Sequence, residues 1–306
     1  MVDEPNNWGR FGPDDQRGTL NLLTPAVVLD ALRSATTGEV LSLAMPIRGA
    51  TSSPAPTTVP HLPGRPLPQH FMSVDGGDYA AGARPIGEGL RVADDALLVT
   101  HHGTTTHMDA LCHMWSGDEL YNGHPAARVR SYGATRCGIE RVGGVVARGV
   151  LFDVPRRLGL DHLPADHRIS AGLLADIATP RPGDVAVIRT GWPRVWERSR
   201  EHYWSGQPGL SAAAGRWLAA HDVAAVAADN AAIGGLDARG RAGESLADDL
   251  HLILLHRHGI HLIEMLWLEE LGEELDAAGR AEFVFVAAPL RIEGGTGSPL
   301  TPLAVL

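Results

Sequence analysis

Four histidines fall within one short run of this chain, His101-His102-Gly103-Thr104-Thr105-Thr106-His107-Met108-Asp109-Ala110-Leu111-Cys112-His113. The sequence holds 15 histidines among 306 residues, so chance places roughly 0.6 in a window of this length. Imidazoles and a carboxylate crowded in this way are the ligand types that hold a divalent metal, although any one histidine alone serves equally well as a turn cap. A second histidine-rich stretch, residues 250–264, lies far along the chain and closes on Glu264. A fold that uses both stretches at one ion must bring two remote segments together, and no other feature of the sequence restricts the fold so tightly.

Local patterning says how each stretch is presented. Residues 95–100 read as a short apolar strand that delivers the first cluster to a strand end. In extended backbone, residues two apart project from one face, so His107 and Asp109 point together while Met108 faces away. Residues 248–258 have helical character, Gly259 is a helix terminator and residues 260–264 alternate like a strand. His251 then lies on the helix and Glu264 at the strand end. His256, Arg257 and His258 read as cations offsetting the dipole in the last helical turn. A carboxylate closing an apolar segment is at least partly buried and needs a partner.

Elsewhere helix and strand signals alternate, which predicts an α/β chain. Thr24-Pro25 caps a helix over 26–35, and Ser170 and Ser211 cap helices over 171–178 and 212–221. Strands are expected at 40–47, 145–154, 185–189, 223–228 and 283–287. Residues 49–87 are rich in proline and glycine, densest at 51–56. They predict a long loop whose His70 and Phe71 reach the substrate or which forms a surface or subunit-contact arm. Trp115, Tyr121 and Trp192 either wall an apolar pocket beside the metal or belong to the core. Asp229-Asn230 at a strand end fits a site and turn chemistry equally well. Phosphate-binding glycine motifs are missing.

Composition narrows the function. Hydrophobic residues make up 44% of the chain and charged residues 20%, enough for one substantial core. Acidic residues outnumber basic ones by 36 to 26, which argues against a nucleic-acid partner, since phosphate binding wants a basic face. The amino terminus lacks the pattern of a signal peptide and no apolar stretch is long enough to span a bilayer, so a soluble cytoplasmic protein is expected. Two cysteines, Cys112 and Cys137, are too few for a disulfide framework. Cys112 lies inside the histidine run and is either a ligand or nucleophile, or a small buried residue pointing away.

These residues together resemble the metal-dependent cyclase/hydrolase family that includes bacterial kynurenine formamidase and isatin hydrolase. The family's HxGTHxDxPxH hallmark is matched by Thr106-His107-Met108-Asp109-Ala110-Leu111-Cys112-His113, followed by His251 and Glu264. The opening Asn7-Trp8-Gly9-Arg10-Phe11-Gly12-Pro13-Asp14-Asp15-Gln16-Arg17-Gly18-Thr19-Leu20-Asn21 and the run Gly183-Asp184-Val185-Ala186-Val187-Ile188-Arg189-Thr190-Gly191-Trp192 are similar to its longer members. The family's first motif histidine falls at Gly103 here, so His102 serves only if the loop holds one extra residue, and Leu111 stands at the usual proline. The resemblance implies a single α/β domain over 1–306 of the swivelling β/β/α type, a mixed sheet with flanking helices, with an arm over about 1–22. It implies Zn²⁺ or Mn²⁺ on His107, Asp109, His251 and Glu264, with His102 completing the set, and a proton-transfer role for His113. It also implies a homodimer or homotetramer. The expected activity is hydrolysis of an amide, lactam or ester bond in a small molecule, with Trp115, Phe71 and His70 toward the substrate. A cyclase or dehydratase using the same metal, and a non-enzymatic metal-binding relative, are the competing readings.

Overall fold

Short runs of alanine, valine and isoleucine supply the central strands, because residues buried on both faces leave no place for polar alternation. Val185–Arg189 and Ala225–Ala228 are buried at every position. The computed structural model describes residues 5–47, 65–99, 102–240 and 245–306. Within these, nine strands form one mixed sheet. In chain order they are β1 (Val40–Ser42), β2 (His107–Asp109), β3 (Val145–Asp153), β4 (Val185–Arg189), β5 (Ala225–Ala228), β6 (His261–Glu264), β7 (Glu282–Ala287), β8 (Gly297–Pro299) and β9 (Leu303–Val305). Across the sheet they run β1, β9, β7, β3, β4, β5, β6, β2, β8. Neighbours from β3 to β6 are parallel, whereas β2 runs antiparallel to both β6 and β8. The chain is α/β with a mixed sheet and flanking helices, as its patterning indicates.

The capping residues act as expected. Thr24, Ser170 and Ser211 accept the backbone N–H of Val27, Leu173 and Ala214, opening helices Pro25–Leu32, Ala171–Ile177 and Ala212–Ala220. Each helix ends one to three residues before its pattern suggests, because C-terminal turns lack an equally local signal. The strand expected over 40–47 stops at Ser42. Beyond it Ala44 bridges Leu266, and the Met45 N–H donates to the Thr106 hydroxyl, so tertiary partners take the backbone out of the sheet edge.

Contacts divide the chain into two compact units, residues 1–45 with 106–306, and residues 46–105. In the smaller unit the expected long loop is corrected. Gln69–Val74 pairs antiparallel with Asp94–Leu98, and Gly76–Ala80 is a short helix opened by an Asp75–Asp78 capping box. Proline and glycine content marked breaks there, while the pairing partner that makes Gln69–Val74 a strand lies outside the local window. The densest proline stretch, 51–56, and His101 lie outside the described residues. No helix among the described residues is long and apolar enough to cross a membrane.

Candidate metal centre

Strand pairing builds the centre. β2 and β6 pair with His107 opposite Glu264, which sets both side chains on one face, and Asp109 joins them two residues on. β8 flanks β2 with Gly297 opposite Asp109 and Pro299 opposite His107. His113 follows in a turn closed by its own N–H on the Ala110 carbonyl. His251 opens the helix His251–Arg257 that leads into β6.

Five donor side chains converge. His107 Nε2 lies 3.7 Å from Asp109 Oδ1 and 3.5 Å from Glu264 Oε2. His251 Nε2 lies 3.3 Å from Glu264 Oε1 and 3.8 Å from Asp109 Oδ2, and His113 Nε2 lies 3.8 Å from Asp109 Oδ1. These gaps exceed ordinary hydrogen-bond lengths. They match the roughly 3.4 Å that separates ligands held about 2.1 Å from a tetrahedral ion. Asp109 and Glu264 are 2% and 3% exposed, and Glu264 Oε1 has no hydrogen-bond partner. Two buried carboxylates side by side need a cation. The donor set therefore fits a divalent metal, in two overlapping groups: His107, Asp109 and Glu264, and Asp109, His113 and His251.

Electrostatics point the same way. Burial opposes charge on His251, but Asp249, Glu264 and Asp109 outweigh it and hold its pKa well above the ordinary histidine value. Asp249 accepts the His251 N–H at 2.8 Å and lies 3.6 Å from Nδ1, behind the ring and away from the cluster. At 3.6 Å, with Nδ1 lacking a hydrogen-bond partner, the carboxylate acts on the ring by its charge while its hydrogen bond holds the His251 backbone. The sequence reading missed it, although Asp249-x-His251 mirrors His107-x-Asp109. It also missed Thr106, whose hydroxyl donates to the Met265 carbonyl at 2.6 Å. Met265 is held at a left-handed φ of 58° directly after Glu264, and its N–H donates to the Asn230 carbonyl at 2.9 Å. Backbone strain of this kind persists only where neighbours pin it, here beside the carboxylate.

One expectation is corrected and several open alternatives are decided. His256 and His258 are not helix-end cations. Burial lowers both pKa values, and their rings face the carbonyls of Glu119 and Ile253. Tyr121 and Trp192 wall no pocket. Both are fully buried, Tyr121 donating to Asp15 and Trp192 packed with Trp196 and Tyr203. Cys112 is a buried thiol pushed up to about 12 by desolvation, with Sγ toward the Gly295 carbonyl, so it is the small core residue of the two alternatives. Asp229 accepts the N–H groups of Thr190 and Gly191 beyond the end of the neighbouring strand, and the Asn230 amide donates to the carbonyls of Pro208, Ile233 and Gly234, so the pair ties backbone together across the strand ends and only the Ile233 and Gly234 bonds are local turn contacts. Trp115, 37% exposed, lies two residues beyond His113. His70, His102 and Phe71 belong to the smaller unit. There His70 Nε2 is 2.5 Å from Asp95, Phe71 is 50% exposed and His102 opens the turn His102–Thr104. The cluster above draws on the larger unit alone.

Fold and cluster together define an α/β protein with a buried histidine–carboxylate centre. Residues 41–234 match the family described as "Putative cyclase". A crystal structure described as a novel cyclase is 36% identical, with a TM-score of 0.89 over 99% of this chain and 100% of the other. The chain belongs to this cyclase family. An isatin hydrolase bound to the product analogue thioisatinate shares the fold at 19% identity and a TM-score of 0.61, over 93% and 99% of the two chains. A predicted metal-dependent hydrolase from Bacillus stearothermophilus does so at 20% and 0.53, over 87% and 97%. No curated protein matches the sequence significantly.

Proposed function

We propose that this protein is a metal-dependent hydrolase that cleaves an amide, lactam or ester bond of a small molecule. The observation that carries the reading is the cluster of largely buried donors spaced 3.3–3.8 Å apart, longer than well-formed hydrogen bonds and right for shared ligation. His107, Asp109, His251 and Glu264 would hold the ion, and Zn²⁺ and Mn²⁺ both suit imidazole and carboxylate donors. When bound, the ion supplies Lewis acidity, making water a better nucleophile and the carbonyl a better electrophile. The chain's own residues do the rest. His113 is about one-third exposed where the ligand positions are nearly closed, so it can exchange a proton with solvent or substrate. Its Nε2 beside Asp109 keeps the ring over the centre. Trp115, two residues beyond His113, offers an apolar surface for the substrate. The fold shared with an isatin hydrolase, bound there to thioisatinate, supports a lactam among the substrates.

A second reading is supported by the family's description and by a fold neighbour described as a potential metal-dependent hydrolase with cyclase activity. There the same ion would promote ring closure or dehydration. Incorporation of ¹⁸O from water into product separates the two. The assembly is proposed to be a homodimer or homotetramer, which light scattering measures directly.

The deciding experiment is elemental analysis of the purified protein with a screen of N-formyl, lactam and ester compounds, with and without chelator. His107→Ala is expected to lose metal and turnover, and His113→Ala to keep metal and lose most turnover. Full metal in both variants would refute the ligand assignment, and loss of metal from His113→Ala would make His113 a ligand.

A further inference from the structure

The helix that presents His251 is wound as a π-helix over His251–Arg257, a rare form. Its sequence, His-Leu-Ile-Leu-Leu-His-Arg, contains no proline or glycine and favours an ordinary α-helix. The cause of the unusual winding must therefore lie outside it. The far end is gripped by the amino-terminal arm. The Asn7 N–H donates to the Arg257 carbonyl at 3.0 Å, the Asn7 side-chain amide to the His258 carbonyl at 3.0 Å, and Trp8 Nε1 to the His256 carbonyl at 2.9 Å. The Trp8 ring meets the His256 ring edge-on at 5.4 Å. Further along, Thr19 binds the Gly259 carbonyl through both its N–H, at 2.9 Å, and its hydroxyl, at 3.2 Å. Gly18 approaches so closely that a Cβ there would stand 1.9 Å from the Gly259 oxygen. Carbonyls that a helix leaves unpaired at its C-terminus are thus taken by another segment of chain.

We infer that Asn7 and Trp8 are positioning residues for His251, clamping the end of its helix in the π register that aims the imidazole at Asp109 and Glu264. The inference rests on the metal reading of that cluster. An i→i+5 ladder winds less rotation into each residue than an i→i+4 ladder. With Glu264 fixed in the sheet, relaxation to α winding would turn the start of the helix by a substantial fraction of a turn. His251 Nε2, now 3.3 Å from Glu264 Oε1, would leave the cluster.

The test is a Co²⁺ titration of chelator-stripped protein, followed by visible absorption, which reads both affinity and ligand geometry. The double variant Asn7→Ala/Trp8→Phe removes two donors to the helix end and keeps an aromatic ring. We expect about tenfold weaker Co²⁺ binding, the lower bound for loss of a group that orients a ligand, with an altered band shape at saturation. Trp8→Phe alone is expected to weaken binding by a smaller factor, and it serves if the double variant does not fold. Ser170→Ala removes a cap hydrogen bond of 3.2 Å to Leu173 on a different helix and should lower the melting temperature with no change in Co²⁺ affinity. Equal affinity in parent and clamp variants, or equal weakening by Ser170→Ala, overturns the clamp alone. A parent protein that takes up no Co²⁺ overturns the metal reading and the clamp with it.

Discussion

Replacing Glu264 by glutamine keeps the size and shape of the side chain and removes one of the two carboxylates in the centre. Glu264 faces His107 at 3.5 Å and His251 at 3.3 Å and is almost fully buried, so water cannot stand in for the lost charge. Perturbing a group that merely supports a ligand weakens metal binding by about 10–100-fold, and a direct ligand stands at the upper end or beyond. At a metal concentration of about 100 Kd, binding stabilises the parent by about 2.7 kcal/mol. The same concentration is then about equal to Kd for the variant and contributes only about 0.4 kcal/mol. At about 2 °C per kcal/mol for a chain of this size, the metal-induced rise in Tm falls from about 5 °C to below about 1 °C. Thermal scans of chelated and metal-loaded protein, parent and variant, measure the difference. If Glu264→Gln keeps the full shift, Glu264 is not a ligand, and the spacing of the donors has another cause.

Two further outcomes follow from the geometry. Cys112 is buried and its thiol is pushed up to about 12, and burial also raises Cys137, so neither should react with an aromatic disulfide reagent at pH 8 until the protein unfolds. Rapid modification of one thiol in the native protein would return Cys112 to the nucleophiles. Burial lifts Asp229 from 3.8 to about 7, against the hydrogen bonds of Thr190 and Gly191. Its folded pKa thus lies above its unfolded one, so the native state holds the extra proton between about pH 4 and 7, and stability falls as pH rises through that window. Asp229→Asn should flatten this slope. It should also cost about 1–3 kcal/mol, because an amide N–H would face the backbone donors that the carboxylate accepts. Urea unfolding at pH 5 and pH 8 measures both, and an unchanged slope would assign the pH dependence to another group.

The parts of the fold visible beforehand are those whose cause is local. Thr24, Ser170 and Ser211 cap the helices they precede because each supplies an acceptor to an N–H three residues on. Val185–Arg189 and Ala225–Ala228 read as strands because continuous apolar runs have no other stable place. His256 and His258 depart from that pattern because a helix-end position favours charge only when water reaches it, and here the Glu119 carbonyl of another segment and the Ile253 carbonyl of the helix itself meet the rings. Gln69–Val74 passed for loop because nothing within it indicates its partner strand.

The sequence by itself determined the donor types and their near spacing. His107 and Asp109 share a face wherever that segment is extended, His251 precedes a glycine-terminated helix end, and Glu264 closes an apolar strand. Tertiary structure alone decided that β2 pairs with β6 in the register that sets His107 opposite Glu264, and that Thr106 and Asn230 pin the backbone at Met265. A one-residue slip in that pairing would turn the β2 donors to the opposite face. Register of this kind is a choice among remote partners, made by the whole sheet at once, and no local window of residues contains it.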